Sequence, residues 1–249
     1  MSVTGPKSDK TSEERTVVTK YAELFANSPD PLTKKLESFP KYIRRQDLSR
    51  LLARYELFTR ILEVKGSIIE CGVEYGAGLM TWANLSAALE PVNFSRRIYG
   101  LDTFEGFPSI SQEDVGASAD PKVGQLKADS YNELTALIET YDANRFLGHM
   151  GKVELVKGDA VETIPALIEA NRQLVVSLLY LDFDLYEPTR VALEHFVPRM
   201  PKGAVLAFDE LDSSMYPGET QAAMETVGLN NLRLQRFQFE PEISFAVME

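Results

Sequence analysis

Three observations predict a doubly wound α/β fold, with a mostly parallel seven-stranded sheet closed by an antiparallel C-terminal strand pair. Five short apolar runs (67–72, 97–102, 152–159, 175–182 and 203–210) alternate with helical segments near 78–90, 130–142, 161–171 and 188–197, the pattern of right-handed βαβ units. Acids cluster at the ends of these runs, at Asp102, Asp159, Asp182 and Asp209, with Glu70 near the end of the first. The tail carries two further segments, "LRLQRFQF" and "ISFAVME", separated by "EPE", as expected of an antiparallel edge on a parallel sheet.

The elements follow in order. Residues 1–18 are rich in Ser, Thr, Lys and Glu and are expected to form a flexible arm. Over 47–64, "DLSRLLARYELFTRILEV", apolar residues recur at helical spacing, and Gly66 ends the helix. Between Thr103 and Ser130 lies a long connection with little periodicity, the length of a functional lid. Residues 19–249 are expected to form a single domain with an N-terminal helical extension and that lid around 103–130. At 249 residues and 44% hydrophobic content the chain can fill such a core.

Charge and cysteine usage narrow the function. With 26 Lys+Arg against 37 Asp+Glu the net charge is −11, which repels nucleic acid and anionic membranes at long range. A small anionic ligand is not excluded, because donors at a helix N-terminus act locally. One cysteine, Cys71, rules out an internal disulfide and a multi-cysteine metal site. No apolar run approaches the roughly 20 residues that span a bilayer, and the polar first residues lack a signal-peptide core. A cytoplasmic protein is expected, with a homo-oligomer left open.

Strand ends in an open α/β sheet face the ligand crevice, and five acids there would repel one another unless a ligand with hydroxyls, amines or a metal offset them. The stretch "IIECGVEYGAGLMTWANL", 68–85, reads as strand, glycine turn and helix. Gly72, Gly76 and Gly78 permit a tight turn and close backbone approach, and the helix start aims N–H groups over it. Positions 74 and 77 are Glu74 and Ala77, so the G-x-G-x-x-G pyrophosphate fingerprint fails, as does the phosphate-loop pattern. What remains is E-x-G-x-x-x-G-x-G, Glu70 to Gly78, with Asp102 closing the next strand.

That motif resembles the first motif of class I S-adenosylmethionine-dependent methyltransferases. Together with "YGLDTFEGFP", "KGDAVETIP", "LYLDFDLYEPT" and "FDELDSSMYPGETQA", it resembles the macrocin O-methyltransferase family, which methylates sugar hydroxyls. The resemblance implies S-adenosylmethionine held by Glu70, Gly72, Gly76, Gly78, Asp102, Thr103, Asp159, Ala160 and Asp182, with Asp102 on the ribose and Asp159 and Ala160 by the adenine. It implies Mg2+ on Asp182, Asp209 and Glu210, Glu210 standing where the family usually has aspartate. It implies Asp184 as the general base toward a hydroxyl of a sugar-bearing acceptor, a nucleotide-sugar or glycoside. If 182–184 is extended, Asp182 and Asp184 point the same way. The alternative is a non-catalytic or hydroxylase-associated cofactor-binding protein of the same fold. Plainer readings hold elsewhere: Asp159 serves equally as an N-cap, and His149, His195, Cys71 and Trp82 are given no chemical role.

Overall fold

The computed structural model describes residues 12–116 and 120–249; residues 117–119, inside the long connection, and the first eleven residues of the expected arm lie outside the described residues. Residues up to Leu52 and Ala53–Glu249 form two compact units. The first holds α1 (Ser12–Asn27) and α2 (Leu32–Glu37), and α3 (Arg45–Arg60) leads from it into the second. Helix α1 therefore begins within the stretch expected to be a flexible arm. Inside the first unit the buried Lys35 ammonium donates to the Phe25 carbonyl, and Phe25 meets Tyr42 edge-on with centroids 5.0 Å apart.

The larger unit carries β1 (Ser67–Cys71), α4 (Ala77–Leu89), β2 (Ile98–Asp102), α5 (Tyr131–Asn144), β3 (Val153–Lys157), α6 (Ala160–Ala170), β4 (Val176–Leu181), α7 (Tyr186–Phe196), β5 (Val205–Phe208), α8 (Pro217–Thr226), β6 (Gln235–Arg236) and β7 (Ser244–Val247). The sheet order is β3-β2-β1-β4-β5-β7-β6, parallel from β3 to β5 and antiparallel at β7 and β6. The order reverses between β1 and β4, the switch point where ligands bind such sheets.

Every residue of β1, β4 and β5 is buried, while only Val153 of the edge strand β3 is, as burial on both faces requires of central parallel strands. One face, with Ile68, Leu178, Tyr180 and Val205, packs against α3, α4 and α5 through Leu57, Phe58, Trp82 and Leu134. The other, with Ile69, Leu101, Leu179 and Phe208, packs against α6 and α7 through Ile164, Ala192 and Phe196. At the foot of the sheet the buried Arg96 pairs with Glu90 at 2.9 Å and donates to the carbonyls of Ile61, Val64 and Gly66.

The terminal pair departs from expectation in extent and order. Of "LRLQRFQF" only Gln235 and Arg236 are strand, both exposed, and the last strand, β7, lies inside between β5 and β6. A strand of Gln and Arg at an open edge resists pairing with another sheet, whereas Phe245 and Ala246 are buried. Helices α1, α2 and α8 have no counterpart in the periodic segments read from the sequence.

Candidate active site

The glycine turn leaves β1 in a left-handed conformation, with φ +94° at Gly72, +52° at Glu74 and +82° at Gly76. A Cβ on Gly72 would lie 2.0 Å from the Asp182 carbonyl, and one on Gly76 2.2 Å from the Leu134 side chain, so both glycines are required by space as well as by φ. Asp102, at the end of β2, fills the concave side of the turn. Its Oδ2 accepts the N–H groups of Val73 (2.7 Å) and Glu74 (2.9 Å), and its Oδ1 that of Phe104 (2.7 Å). Successive N–H groups of this kind form an anion nest, and here the chain's own carboxylate occupies it. A phosphate at this point would meet a negative charge. A carboxylate accepts about four hydrogen bonds, so Asp102 keeps capacity for a hydroxyl. Helix α4 starts at Gly76 with no side-chain cap, leaving N–H groups at a positive helix end.

Glu70 lies beneath the turn rather than at its surface. It is 1% exposed, and Arg54 Nη2 stands 3.8 Å from its Oε1. Burial pushes the Glu70 carboxyl up to about 7 against the pull of the Arg54 guanidinium. A Cβ at Gly78 would sit 2.0 Å from Glu70 Oε1 and 2.9 Å from Arg54 Nη2. Gly78 therefore makes room for this pair under the first turn of α4. The Arg54 guanidinium lies 4.7 Å from the Tyr180 ring centroid and 5.8 Å from that of Trp82. Trp82 is core, as expected, and its indole N–H lies against the Glu70 carboxylate, which it helps the guanidinium to hold down, while Arg54 Nε is buried without a hydrogen-bond partner.

At the far end of the turn the sequence-assigned residues do structural work. Thr103 Oγ1 donates to the Gly106 carbonyl (2.7 Å) and accepts the Glu105 N–H (3.1 Å), shaping the exit from β2. Asp159 caps α6, its Oδ1 accepting the Val161 N–H at 3.0 Å, and Ala160 begins that helix, buried.

Asp182 and Asp209 follow β4 and β5, which are parallel neighbours paired through Leu181 and Phe208. The Asp182 N–H is held by the Cys71 carbonyl (2.8 Å) and the Asp209 N–H by the Leu181 carbonyl (2.9 Å). Asp209 is buried, and the Tyr180 hydroxyl donates to its Oδ1. Asp184 corrects the extended reading of this segment. Strand β4 ends at Leu181, and Asp184 has φ +62°, so the segment is not extended through Asp184 and the rule that residues two apart share a face does not apply. Asp184 is nevertheless 8% exposed, in a backbone region that costs a non-glycine residue about 1–3 kcal/mol.

Among the described residues no group of three or more His, Cys, Asp or Glu side chains is disposed to hold a metal ion. The oxygen donors of Asp182 and Asp209 on adjacent strand ends suit a hard cation that keeps several waters. Glu210 is not gathered with them into such a group; its main-chain N–H donates to Glu219 Oε1 at 3.1 Å.

Four buried residues escaped the sequence reading. Glu219, on α8, is fully buried, and burial raises its carboxyl well above the ordinary range, with Asp184, Asp209 and Glu210 adding to the rise. Asp114, in the long connection, accepts the Tyr186 N–H at the start of α7 (2.6 Å) and both the N–H and hydroxyl of Ser111 (2.8 and 2.7 Å). It supplies the cap that Leu185 cannot. Arg54 and Tyr180 are the others. Phe107 from the same connection meets Tyr216 edge-on at 6.4 Å, and the Tyr216 hydroxyl is raised by burial and by the nearby Asp184 and Glu210 carboxylates. The signal for Arg54 was present: it is a charge three and four residues before the apolar Leu57 and Phe58 on a buried helical stripe, whereas Glu219 lies on a helix with little such signal. His195 bonds the Val191 carbonyl at 2.9 Å, His149 is exposed and Cys71 is buried.

Known proteins are similar to this chain in sequence and fold. The crystal structure of CalS11, a calicheamicin methyltransferase, is 33% identical over 99% of this chain and 99% of that one, with a TM-score of 0.91. The apo structure of CalS11, described as a TDP-rhamnose 3'-O-methyltransferase of calicheamicin biosynthesis, gives 33% identity, 96% coverage of each chain and a TM-score of 0.84. An 8-demethyl-8-(2,3-dimethoxy-alpha-L-rhamnosyl)-tetracenomycin-C 4'-O-methyltransferase of Streptomyces olivaceus is 28% identical over 151 residues, 59% of this chain and 53% of that protein. The match thus spans about half the length of that relative. Residues 44–226 match the family model of macrocin-O-methyltransferase (TylF). The chain belongs to the macrocin-O-methyltransferase (TylF) family.

Proposed function

We propose that this protein is an S-adenosylmethionine-dependent O-methyltransferase acting on a hydroxyl of a deoxysugar, carried on a nucleotide or a natural-product glycoside. The observation that carries the reading is the self-filled nest: with Asp102 on the Val73 and Glu74 N–H groups, the turn suits a ligand with ribose hydroxyls and no phosphate. The uncapped start of α4 favours the carboxylate end of the methionine portion. The relatives named for rhamnose O-methylation point to the acceptor class.

Asp102 would accept a ribose hydroxyl with its remaining lone pair. Asp159 and Ala160 would line the adenine edge. Asp184 would take the proton of the acceptor hydroxyl, and fixing the hydroxyl oxygen in line with the sulfonium methyl would supply much of the rate. Asp182 and Asp209, with Glu210 as a third candidate, would hold Mg2+, which when bound lowers the pKa of the hydroxyl to be methylated. The long connection and Tyr216 would border the acceptor.

Titration calorimetry with S-adenosylmethionine and, separately, NAD is expected to give binding of the first alone; binding of NAD instead would end the proposal. Methyl transfer is then expected to TDP-rhamnose or a rhamnosyl glycoside and to fall on chelation. Cofactor binding without transfer to any such acceptor would favour a non-catalytic or hydroxylase-associated protein. Asp184→Asn is expected to lower kcat by about 10²- to 10⁴-fold with cofactor affinity unchanged, and full activity in that variant would remove Asp184 from the base role.

A further inference from the structure

Glu70, Tyr180 and Asp209 lie on one face of the sheet. Glu70 and Tyr180 are register partners on β1 and β4, Tyr180 partners Ala207 on β5, and Asp209 follows Ala207 by two, so alternation directs all three toward α3 and α4. Arg54 descends from α3 into this row. Its side chain is 9% exposed, and it is held by the Glu70 carboxylate on one side and the Tyr180 and Trp82 rings on the other. Trp82 closes on Tyr180 edge-on at 5.7 Å, and the Tyr180 hydroxyl ends the row on Asp209 Oδ1. A buried arginine is costly unless paired, and the Gly78 contact shows that the first turn of α4 is shaped to admit it.

We propose that Arg54 and Tyr180 are positioning residues for Asp209: the guanidinium, locked between Glu70 and the two rings, fixes the Tyr180 ring so that its hydroxyl orients the Asp209 carboxylate at the strand end beside Asp182. The row also joins the floor of the glycine turn to the acceptor side of the site, so the two halves share one buried support. This inference rests on the methyltransferase reading for its kinetic consequence, and on the geometry alone for the coupling between Tyr180 and Asp209.

The test uses the full chain with Tyr180→Phe, Arg54→Met and the double variant. Tyr180→Phe removes only the donated hydrogen bond and is expected to lower kcat about tenfold or more, the factor associated with one hydrogen bond to a charged group. The calorimetric Kd for S-adenosylmethionine is expected to stay within about twofold, a split that general loosening would not produce. The double variant should lose little more than the worse single, because both act through one carboxylate. A Tyr180→Phe enzyme with wild-type kcat, or one whose cofactor affinity falls as far as its kcat, overturns the proposal. If wild-type protein transfers no methyl group to any acceptor, the functional reading fails separately. The stability cycle of Tyr180→Phe against Asp209→Asn then decides the positioning: non-additive losses in urea unfolding are expected, and additive losses overturn it. Should Arg54→Met fail to fold, Arg54→Lys, which keeps the charge but not the planar stacking, takes its place.

Discussion

Gly78 illustrates how a residue legible in a motif can also serve the packing beneath it. The spacing Glu70 to Gly78 marks the turn, and the motif suggests that its last glycine faces the ligand, whereas the side it keeps clear is the one toward Glu70 and Arg54. Gly78→Ala is therefore expected to destabilise the fold by about 1–3 kcal/mol, the cost of overpacking a buried contact, with α4 displaced. Urea unfolding checks this, and a neutral or stabilising substitution would show that the pair can yield. Asp102 shows the converse. Its position was readable as a strand-end acid, but its three backbone partners, Val73, Glu74 and Phe104, come from two loops that only folding brings together.

At the scale of elements, a buried carboxylate ties the long connection to the helix that follows β4. Asp114 bridges Ser111 and the start of α7, and Gly218 at the head of α8 lies so close that a Cβ there would be 2.1 Å from Asp114 Oδ1. Asp114→Ala removes a helix cap and an anchor together, and is expected to cost about 0.5–2 kcal/mol. Amide exchange over 103–116 should speed up while β1 and β4 keep their protection; unchanged exchange would mean that the connection is held by other contacts. Periodicity located α3 to α7 to within a few residues. It did not find α8, whose small and polar sequence "PGETQAAMET" carries little amphipathic signal, nor the left-handed backbone at Asp184, which no glycine marks.

For the whole molecule, buried acids on a chain of net charge −11 set a pH dependence. Glu70 sits at about 7 in the folded chain against an ordinary 4.5, so between these values the folded state holds a proton that the unfolded chain has released. Stability contributed by that proton is full below about pH 4.5, falls as pH rises and is lost above about 7. Glu219, raised in the same direction, adds to the slope. Glu70→Gln is expected to flatten part of the decline between pH 5 and 8 in urea unfolding, and parallel wild-type and variant curves would contradict it. The alternation of apolar runs and helices determined the α/β class, the parallel core, the glycine turn and the acids at the strand ends, because hydrophobic periodicity and glycine spacing are local properties of the chain. Only the tertiary structure decided what those acids touch: that Asp102 fills its own nest, that Glu70 lies under the turn with Arg54, and that Tyr180 reaches Asp209. Each of these pairings joins residues distant in sequence, and the burial and register that make them belong to the assembled sheet.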